Sequence, residues 1–373
     1  MSTPSLPARA NAALARETRA LATVDSGWST EALGGGRLRE RGARVWRLRW
    51  VTQVFWLAVI LVIGWQFVVW VRGIENGYAS VSRPPGVEGF LPLSGMLSLR
   101  HFLETGSVSP IRPAAFVIFL LVVASGVLLK RAFCSWICPI GTLSELLAGA
   151  SRRLFRRKIA LPRLLDWPLR SLKYLLLLFF AWAIFVQMSP PGVAHFLDSP
   201  YNRVADVKML YFFEHLSPTA VKVLLGLGGL SLLVPYFWCR YLCPYGGLLG
   251  ALSLLSPLKI TRHAASCIDC GLCTKACPTQ LPVERLTRVR SDECFGCLSC
   301  IAACPVSRAL RVETPGPWRR GVRPVAFAAL LLVLFAGGIL AARSAGVWRT
   351  SVSDDEYSRR VRELDGPQYG HPR

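Results

Sequence analysis

Five long apolar stretches divide the chain, with polar and proline-rich segments between them. They cover residues 51–71, 114–129, 172–188, 220–238 and 325–342. Apolar stretches of about this length are typical of helices that cross the hydrocarbon core of a bilayer, which is about 30 Å thick. The pattern therefore predicts a mainly α-helical, polytopic membrane bundle with about five spans.

The segments after the first and third apolar stretches are predicted to be outer loops. The first, residues 72–113, contains five prolines, and its apolar part, residues 90–99, is too short to span a membrane, so we expect an interfacial helix there. Polar side chains in these loops could accept protons from a substrate, although ordinary solvated loop positions are the commoner explanation. They are His101, Glu104, His195, Asp198, Glu214 and His215.

Charge supports a membrane protein over a nucleic-acid-binding one. The 373 residues carry a formal net charge of +22, yet 52% are hydrophobic and the mean hydropathy is +0.39. Of the 44 Lys and Arg residues, 31 lie in segments on one side of the predicted spans and 12 on the other. Because positive residues accumulate on the cytoplasmic side, we expect a bacterial inner-membrane protein with a cytoplasmic N-terminus and a periplasmic C-terminal tail, and no nucleic-acid partner.

Two tetracysteine runs lie between the fourth and fifth apolar stretches, on the predicted cytoplasmic side. Both have the spacing C-x2-C-x2-C-x3-C-P, by which bacterial ferredoxins hold two [4Fe-4S] clusters, the fourth Cys of each run ligating the other cluster. This rule defines a first and a second cysteine set. The first set is Cys267, Cys270, Cys273 and Cys304, and the second is Cys277, Cys294, Cys297 and Cys300.

Structural zinc and disulfide bonds are the alternatives for these eight cysteines. Zinc sites usually take ligands as two separated pairs, which a run with a third Cys two residues later fits poorly. Disulfides require an oxidising compartment, whereas the charge bias puts these loops in the cytoplasm. The spacing therefore favours iron–sulfur clusters.

The remaining four cysteines form a second repeat, at an offset of 105 residues. We call Cys134, Cys138, Cys239 and Cys243 the C-x3-C-P set; Pro139 and Pro244 complete the motifs. Cysteines four residues apart share one helix face, so the two predicted hairpins could bring four thiols together. They could hold a third iron–sulfur cluster or another soft metal, or form redox disulfides; alternatively the thiols pack where helices meet and the prolines begin the next helices.

The motifs divide the chain into predicted domains. A flexible basic tail (1–49) precedes a membrane domain with four spans and both C-x3-C-P motifs (50–255). A small α+β ferredoxin-like module of the bacterial 2[4Fe-4S] type (256–317), the fifth span (318–342) and a charged C-terminal tail (343–373) follow. With no apolar segment after the early charges, no cleavable signal peptide is expected.

The combination of motifs resembles a known superfamily. Two membrane hairpins that end in CSWICPIG and CRYLCPYG, followed by a double ferredoxin motif, are similar to NapH-type membrane iron–sulfur proteins and the polyferredoxin-like half of NosR-type proteins. The resemblance covers roughly residues 50–315. It implies electron transfer between the quinone pool and a partner reductase or its maturation system.

Two functions from different classes follow from these features. The first is a membrane electron-transfer protein, of the quinol dehydrogenase type if it is an enzyme, that exchanges single electrons with quinone and a protein redox partner through two [4Fe-4S] clusters. The second is a maturation factor or metal (copper) reductase that uses the C-x3-C-P thiols, since the more distant CcoG type shares such motifs. Four Met and five His residues provide few additional ligands for copper.

Overall fold

Long apolar helices dominate the structure, a computed structural model that describes residues 36–77, 81–155, 161–306, 308–315, 320–364, 366 and 369. Helices α1 (Gly36–Glu75), α6 (Arg163–Trp182, continued by a π-helical turn, Ala183–Gln187) and α14 (Pro324–Ser344) contain the first, third and fifth predicted spans. Within the described residues, these are the three continuous helices long and apolar enough to cross a membrane. The mainly α-helical membrane fold is thereby confirmed.

The second and fourth predicted spans are less regular. Helix α3 (Pro113–Leu129) is apolar but has 17 residues, so at about 1.5 Å per residue it is shorter than the hydrocarbon core. Helix α10 (Pro218–Leu233) passes the length test only together with α9 (Ala205–Glu214), from which it is bent by 82°. Length and composition thus support three spans, or four with the bent pair, where the sequence predicted about five.

Shorter helices connect these elements. The interfacial helix expected at residues 90–99 is α2 (Pro92–Thr105), which follows a 3₁₀ turn, Pro85–Phe90. The remaining helices are α4 (Ala132–Trp136), α5 (Pro139–Phe155), α7 (Pro190–Asp198), α8 (Pro200–Arg203), α11 (Pro244–Ser253), α12 (Leu272–Ala276), α13 (Ser299–Ala302) and α15 (Asp354–Arg362).

The described residues group into two compact units. The first combines residues up to 56 with 125–174 and 226–331, and the second combines 57–124, 175–225 and the residues from 332 onward. Both units are assembled from distant parts of the sequence.

A small antiparallel sheet supports the cysteine-rich part of the first unit. Strand β1 (Lys259–Arg262) pairs with β2 (Leu310–Glu313), which pairs with β3 (Gly321–Val322). Ile260 lies opposite Val312, and both side chains are buried beneath the cysteine loops. Since Val312 also pairs with Val322, the sheet extends beyond residue 317, where the predicted module ended.

A buried network of ions lies in the second unit. The Asp206 carboxylate accepts hydrogen bonds from Arg83 (2.7 and 2.9 Å) and from Arg112 Nη2 (2.8 Å). Arg83 also donates to Glu88 (2.9 Å), whose other oxygen accepts from the backbone N–H of Ala115 at 3.0 Å. All four charged side chains are at least nine-tenths buried, so each charge has its counter-charge within the protein.

The N-terminal tail differs from its prediction, and the charged C-terminal tail contains a packed helix. Residues 1–35 of the basic tail lie outside the described residues, but α1 already begins at Gly36, since Arg is a good helix former and no proline interrupts residues 37–49. In the C-terminal tail, Ser353 caps α15 by accepting a hydrogen bond from the backbone N–H of Glu356. Tyr357 on this helix is buried edge-on against Trp70, with ring centroids 4.9 Å apart. The tail therefore packs as part of the second unit.

Candidate metal centres

Each predicted ferredoxin cysteine set lines one cavity. The first cavity, of about 360 Å³, is lined by all four cysteines of the first set, and the second, of about 320 Å³, by all four of the second set. In each cavity three cysteines come from one run and the fourth from the other. The structure thus brings together the groups that the crossover rule names, while ligation of iron by them stays a prediction.

The lining of each cavity fits a polyatomic cofactor. Among the described residues, no three His, Cys, Asp or Glu side chains converge as ligands of one metal ion. Four soft thiolate donors around one cavity are the ligand set of a [4Fe-4S] cluster.

The two cysteine loops have the same backbone conformation. Asp269 and Gly271 in the first loop have φ of 50° and 70°, and Gly296 and Leu298, 27 residues later, have φ of 63° and 59°. These left-handed conformations let three cysteines surround one cavity before a short helix begins. Glycine adopts them freely, whereas Asp269 and Leu298 do so at a cost in backbone energy.

Thiols crowded around each cavity resist ionisation when no metal is bound. Burial raises the pKa of Cys273 to about 11, and the nearby Cys304 and Cys270 thiolates add to this effect. Burial also raises the pKa of Cys300, as do Cys297, Cys277 and Cys294. Because metal ligands must be thiolates, iron binding would supply the positive charge that this arrangement needs.

The two C-x3-C-P motifs adopt the same wide turn. The backbone N–H of Cys138 donates to the carbonyl of Phe133 at 2.9 Å, and that of Cys243 donates to the carbonyl of Trp238 at 2.9 Å. Each bond spans five residues, so these cysteines do not lie on one regular α-helix as the i, i+4 argument assumed. Proline follows each motif and lacks the N–H that a continuing helix requires, so a new helix begins there.

A glycine three residues after the second cysteine completes each copy. A Cβ on Gly141 would overlap the carbonyl oxygen of Cys134, and one on Gly246 would lie 2.8 Å from that of Cys239. The Cys243 sulfur accepts a hydrogen bond from the Gly246 N–H (3.4 Å) at the first turn of α11. Backbone N–H groups at a helix start stabilise a thiolate, so the second cysteine of each motif lies where a metal ligand is favoured.

The four cysteines of the C-x3-C-P set lie together. Burial raises the pKa of Cys138, and Cys134, Cys239 and Cys243 are all near enough to raise it further. The Ser144 hydroxyl on α5 is 3.5 Å from the Cys239 sulfur and so links the first copy to the second. The repeat therefore assembles four thiols in the first unit, of which Cys239 is buried and the other three are half-buried.

Arg131 lies beside this thiol group and has no contact with solvent. Burial disfavours its charge, but the neighbouring thiolates of Cys134, Cys239 and Cys243 and the Glu293 carboxylate hold its pKa above the ordinary value. Its guanidinium donates to the carbonyls of Cys239 (3.3 Å) and Asp292 (3.1 Å) and lies 4.5 Å from the centre of the Phe295 ring. Arg131 thus connects the C-x3-C-P set with the loop of the second cysteine set.

An apolar contact also joins the C-x3-C-P set to the loop of the second cysteine set. Cys239 packs in one buried cluster with Tyr236 and Phe295, and Cys297 of the second set lies against this cluster. The Tyr236 and Phe295 rings are 5.4 Å apart. The second cysteine set and the C-x3-C-P set therefore share one apolar cluster.

Buried cations near the cysteines were missed by the sequence analysis. Lys130 and Arg131 directly follow the second apolar stretch, where an exposed basic flank of a membrane span is expected, yet both are at least 98% buried. Arg49 is also buried; it pairs with Glu145 and donates to Ser299 Oγ (2.8 Å) and the Cys297 carbonyl (3.2 Å). The Lys-Arg pair three residues before Cys134 was the available signal, but it does not distinguish a surface flank from a buried counter-charge.

The outer-loop groups do not form a site. Glu104, Asp198 and Glu214 are ion-paired with Arg100, Arg203 and Arg72, respectively, and are exposed. The three histidines of these loops are exposed or half-buried. Ordinary surface ion pairs account for the carboxylates, so these groups add no support for quinol deprotonation.

Comparison with protein families matches both kinds of cysteine motif. A family model described as a 4Fe-4S binding domain matches residues 111–162 and 217–263, which contain the two C-x3-C-P motifs. A second model, described as a 4Fe-4S dicluster domain, matches residues 259–305, which contain all eight cysteines of the first and second sets.

Several characterised or catalogued proteins are similar over much of the chain. The "Putative electron transport protein YccM" of Escherichia coli is 42% identical over 89% of this chain and 93% of its own length. Protein NirI of Paracoccus denitrificans is 31% identical over 70% of this chain and 36% of its own, and the ferredoxin-type protein NapH of Haemophilus influenzae is 27% identical over 69% and 85%. No solved structure gives a significant match.

Proposed function

Because this chain belongs to the family of polyferredoxin-like 4Fe-4S membrane proteins, we propose that it carries single electrons between the quinone pool and a protein redox partner. A bound [4Fe-4S] cluster would accept and release one electron at a time. The first and second cysteine sets would each ligate one such cluster.

One observation carries this proposal: the two cavities are lined by the two crossover sets of four cysteines. Eight cysteines could be divided into groups in many other ways. A purely structural role would not require these two groups of four, each around one cavity. The membrane helices of the chain support exchange with a lipid-soluble carrier, and quinone is the carrier that the family resemblance implies.

The C-x3-C-P set is proposed to hold a third iron–sulfur centre. Its four thiols lie together, its second cysteines occupy helix starts, and both copies fall within the matched 4Fe-4S binding domain. The contact of Cys239 with Phe295, and of Phe295 with Cys297, would put this centre next to the second cluster. The proposed order is therefore C-x3-C-P centre, second cluster, first cluster.

The first cluster is the proposed point of exchange with the redox partner. Three of its cysteines, Cys267, Cys270 and Cys304, are half-buried, whereas Cys277, Cys294 and Cys300 of the second set are buried. Electron transfer between proteins requires close approach, so the more accessible set suits it better. The biased distribution of Lys and Arg supports a cytoplasmic location for this partner and a periplasmic C-terminal tail.

The proposal can be tested on the full chain in proteoliposomes under anaerobic conditions. A ubiquinol or menaquinol analogue should reduce the protein and produce [4Fe-4S]⁺ signals in EPR spectra. Cys297→Ser should lose the second-cluster signal and slow reduction of the first, whereas Ser344→Ala, which changes an exposed residue at the end of α14, should change neither. Cluster signals that no quinol can generate would contradict exchange with quinone.

The same preparation distinguishes the alternative function. If copper(II) is reduced at a rate that depends on Cys138 and Cys243, and no quinol reacts, the chain is a metal reductase or maturation factor. Under the proposed function, copper has no such cysteine-dependent effect.

A further inference from the structure

Two buried lysines without a carboxylate partner lie behind the residues that line the second cavity. The Lys259 ammonium donates to the carbonyl oxygens of Ser253 and Leu254, each at 2.8 Å. The Lys130 ammonium donates to the carbonyls of Val289 (3.0 Å) and Ser291 (3.5 Å). Within the described part of the chain, neither ammonium forms an ion pair, although both residues are at least 95% buried.

Such cations are costly to bury unless an anion lies nearby. Burial lowers the pKa of Lys259 to about 8; Lys130, Arg288 and Arg290 lower it further, and Cys294 acts in the opposite direction. Burial likewise lowers the pKa of Lys130, which is near Arg131 and Arg288 as well as Cys294 and Asp292. Both lysines are next to the lining of the second cavity, because Val289, which accepts a hydrogen bond from Lys130, and Ile260, which directly follows Lys259, both line it.

The first cysteine set has a different electrostatic environment. Its cavity is lined by Asp269, Glu284 and Arg262, and Arg262 is already paired with Asp269 at 3.4 Å. The Glu284 carboxylate lies against Gly271 of the loop, 2.8 Å from where a Cβ would be. No charged side chain among the described residues lines the second cavity, where Gly296 takes the place of Asp269.

We propose that Lys130 and Lys259 are positioning residues that give the second cluster a higher reduction potential than the first, whose potential Glu284 keeps low. Reduction adds one negative charge to a cluster, which nearby cations stabilise and nearby carboxylates oppose. Arg49 also lies beside Cys297, but its pairing with Glu145 offsets its charge, so the lysines dominate.

This inference rests on the proposed function, since it requires both clusters. The inference ranks the two clusters by reduction potential. An electron shared between them would reside mainly on the second cluster, whose cysteine set adjoins the C-x3-C-P set. Electrons received at the more accessible first set would therefore be held toward the membrane side of the module.

Redox titration followed by EPR tests the inference on the anaerobically purified full chain in detergent. Cys270→Ser, which removes a ligand of the first cluster, identifies the signal of the second. In the otherwise unaltered chain, the second cluster should titrate at the higher potential. Lys259→Met should lower its midpoint by about 59 mV, a tenfold change in the one-electron equilibrium, and leave the first cluster unchanged.

Matched variants separate charge from packing. Lys259→Arg keeps the charge and should retain the midpoint, and Arg320→Gln, which removes an exposed charge near the sheet, should move neither midpoint. If Lys259→Met prevents assembly of the second cluster, Glu284→Gln decides: the midpoint of the first cluster should rise, and an unchanged midpoint would overturn the inference.

Failure of the inference differs from failure of the proposed function. If both clusters are present but the first has the higher midpoint potential, the electrostatic assignment is refuted. The same holds if neither Lys259→Met nor Glu284→Gln shifts a midpoint potential. Both results leave the electron-transfer function intact. Absence of any [4Fe-4S] signal from the unaltered chain refutes both.

Discussion

Gly141 packs directly against the carbonyl oxygen of Cys134, and the contact leaves no space for a Cβ atom. The second copy repeats this relationship between Gly246 and Cys239, at a distance of 2.8 Å for an added Cβ. Each glycine thus allows the helix after the proline to begin close to the preceding cysteine. The cysteine turn and the start of the following helix therefore form one structural motif, which occurs twice.

Substitution of this glycine should therefore disrupt the C-x3-C-P set. Gly141→Ala places a methyl group against backbone that cannot move aside like a flexible side chain, and we expect a loss of about 1–3 kcal/mol in stability. Iron bound by the C-x3-C-P set should fall, while the ferredoxin module keeps its clusters. Thermal unfolding and iron content of the purified protein measure the two effects.

Gly149→Ala on the same helix is the matched control. The nearest atom to its added Cβ would be Arg152 Nη2 at 3.9 Å, so there is space for the methyl group. Alanine is a better helix former than glycine by up to about 1 kcal/mol, and this variant should be as stable as the original chain or more so. Equal losses in both variants would show that the contact with Cys134 is unimportant.

Asp206→Asn should destabilise the second unit. The substitution leaves Arg83 and Arg112 with one fewer buried counter-charge, and breaking a buried ion pair costs about 3–5 kcal/mol. The unfolding temperature in detergent should fall by several degrees. Asp198→Asn removes a carboxylate that is 71% exposed and should change stability by less than about 0.5 kcal/mol.

Acid should weaken the packing of α15 through Glu356. Burial works against its charge, but the hydrogen bond from Arg360 and the nearby Arg203 guanidinium bring its pKa below the ordinary value. Since the folded-state pKa is the lower one, the stabilisation is complete above the ordinary pKa of 4.5 and is lost as pH falls through the folded-state pKa. Stability measured from pH 6 to about pH 3 should decline less steeply in Glu356→Gln than in the original chain, and parallel curves would contradict this role.

Features that repeat in the sequence agree with the local geometry. The spacing rule named the two groups of four cysteines that share a cavity, while their ligation of iron stays a prediction. The offset of 105 residues indicated a repeated cysteine motif, and a backbone hydrogen bond spanning five residues closes the turn in both copies. Apolar length located α14 to within two residues at both ends. It also located α1 and α6, but both helices begin well before the apolar stretch that predicted them.

Contacts between distant segments could not be predicted from one sequence. Lys130 and Arg131 resemble any basic flank of a membrane span, and their burial depends on residues 289–295, which pack against them from far along the chain. The Ser353-x-x-Glu356 pattern does signal a helix start, and the spacing of Tyr357 and Val361 an apolar face, but the hydrophilic composition of the tail outweighed both. Charged residues are usually exposed, so the buried network around Asp206 also had no local signal.

Iron and acid-labile sulfide content, measured on anaerobically purified full chain, tests the central claim most directly. Three four-iron centres predict about twelve iron and twelve sulfide per chain, and a Cys138→Ser, Cys243→Ser variant should retain about eight of each. Zinc without labile sulfide in the unaltered chain would contradict the claim that the crossover cysteine sets bind iron–sulfur clusters.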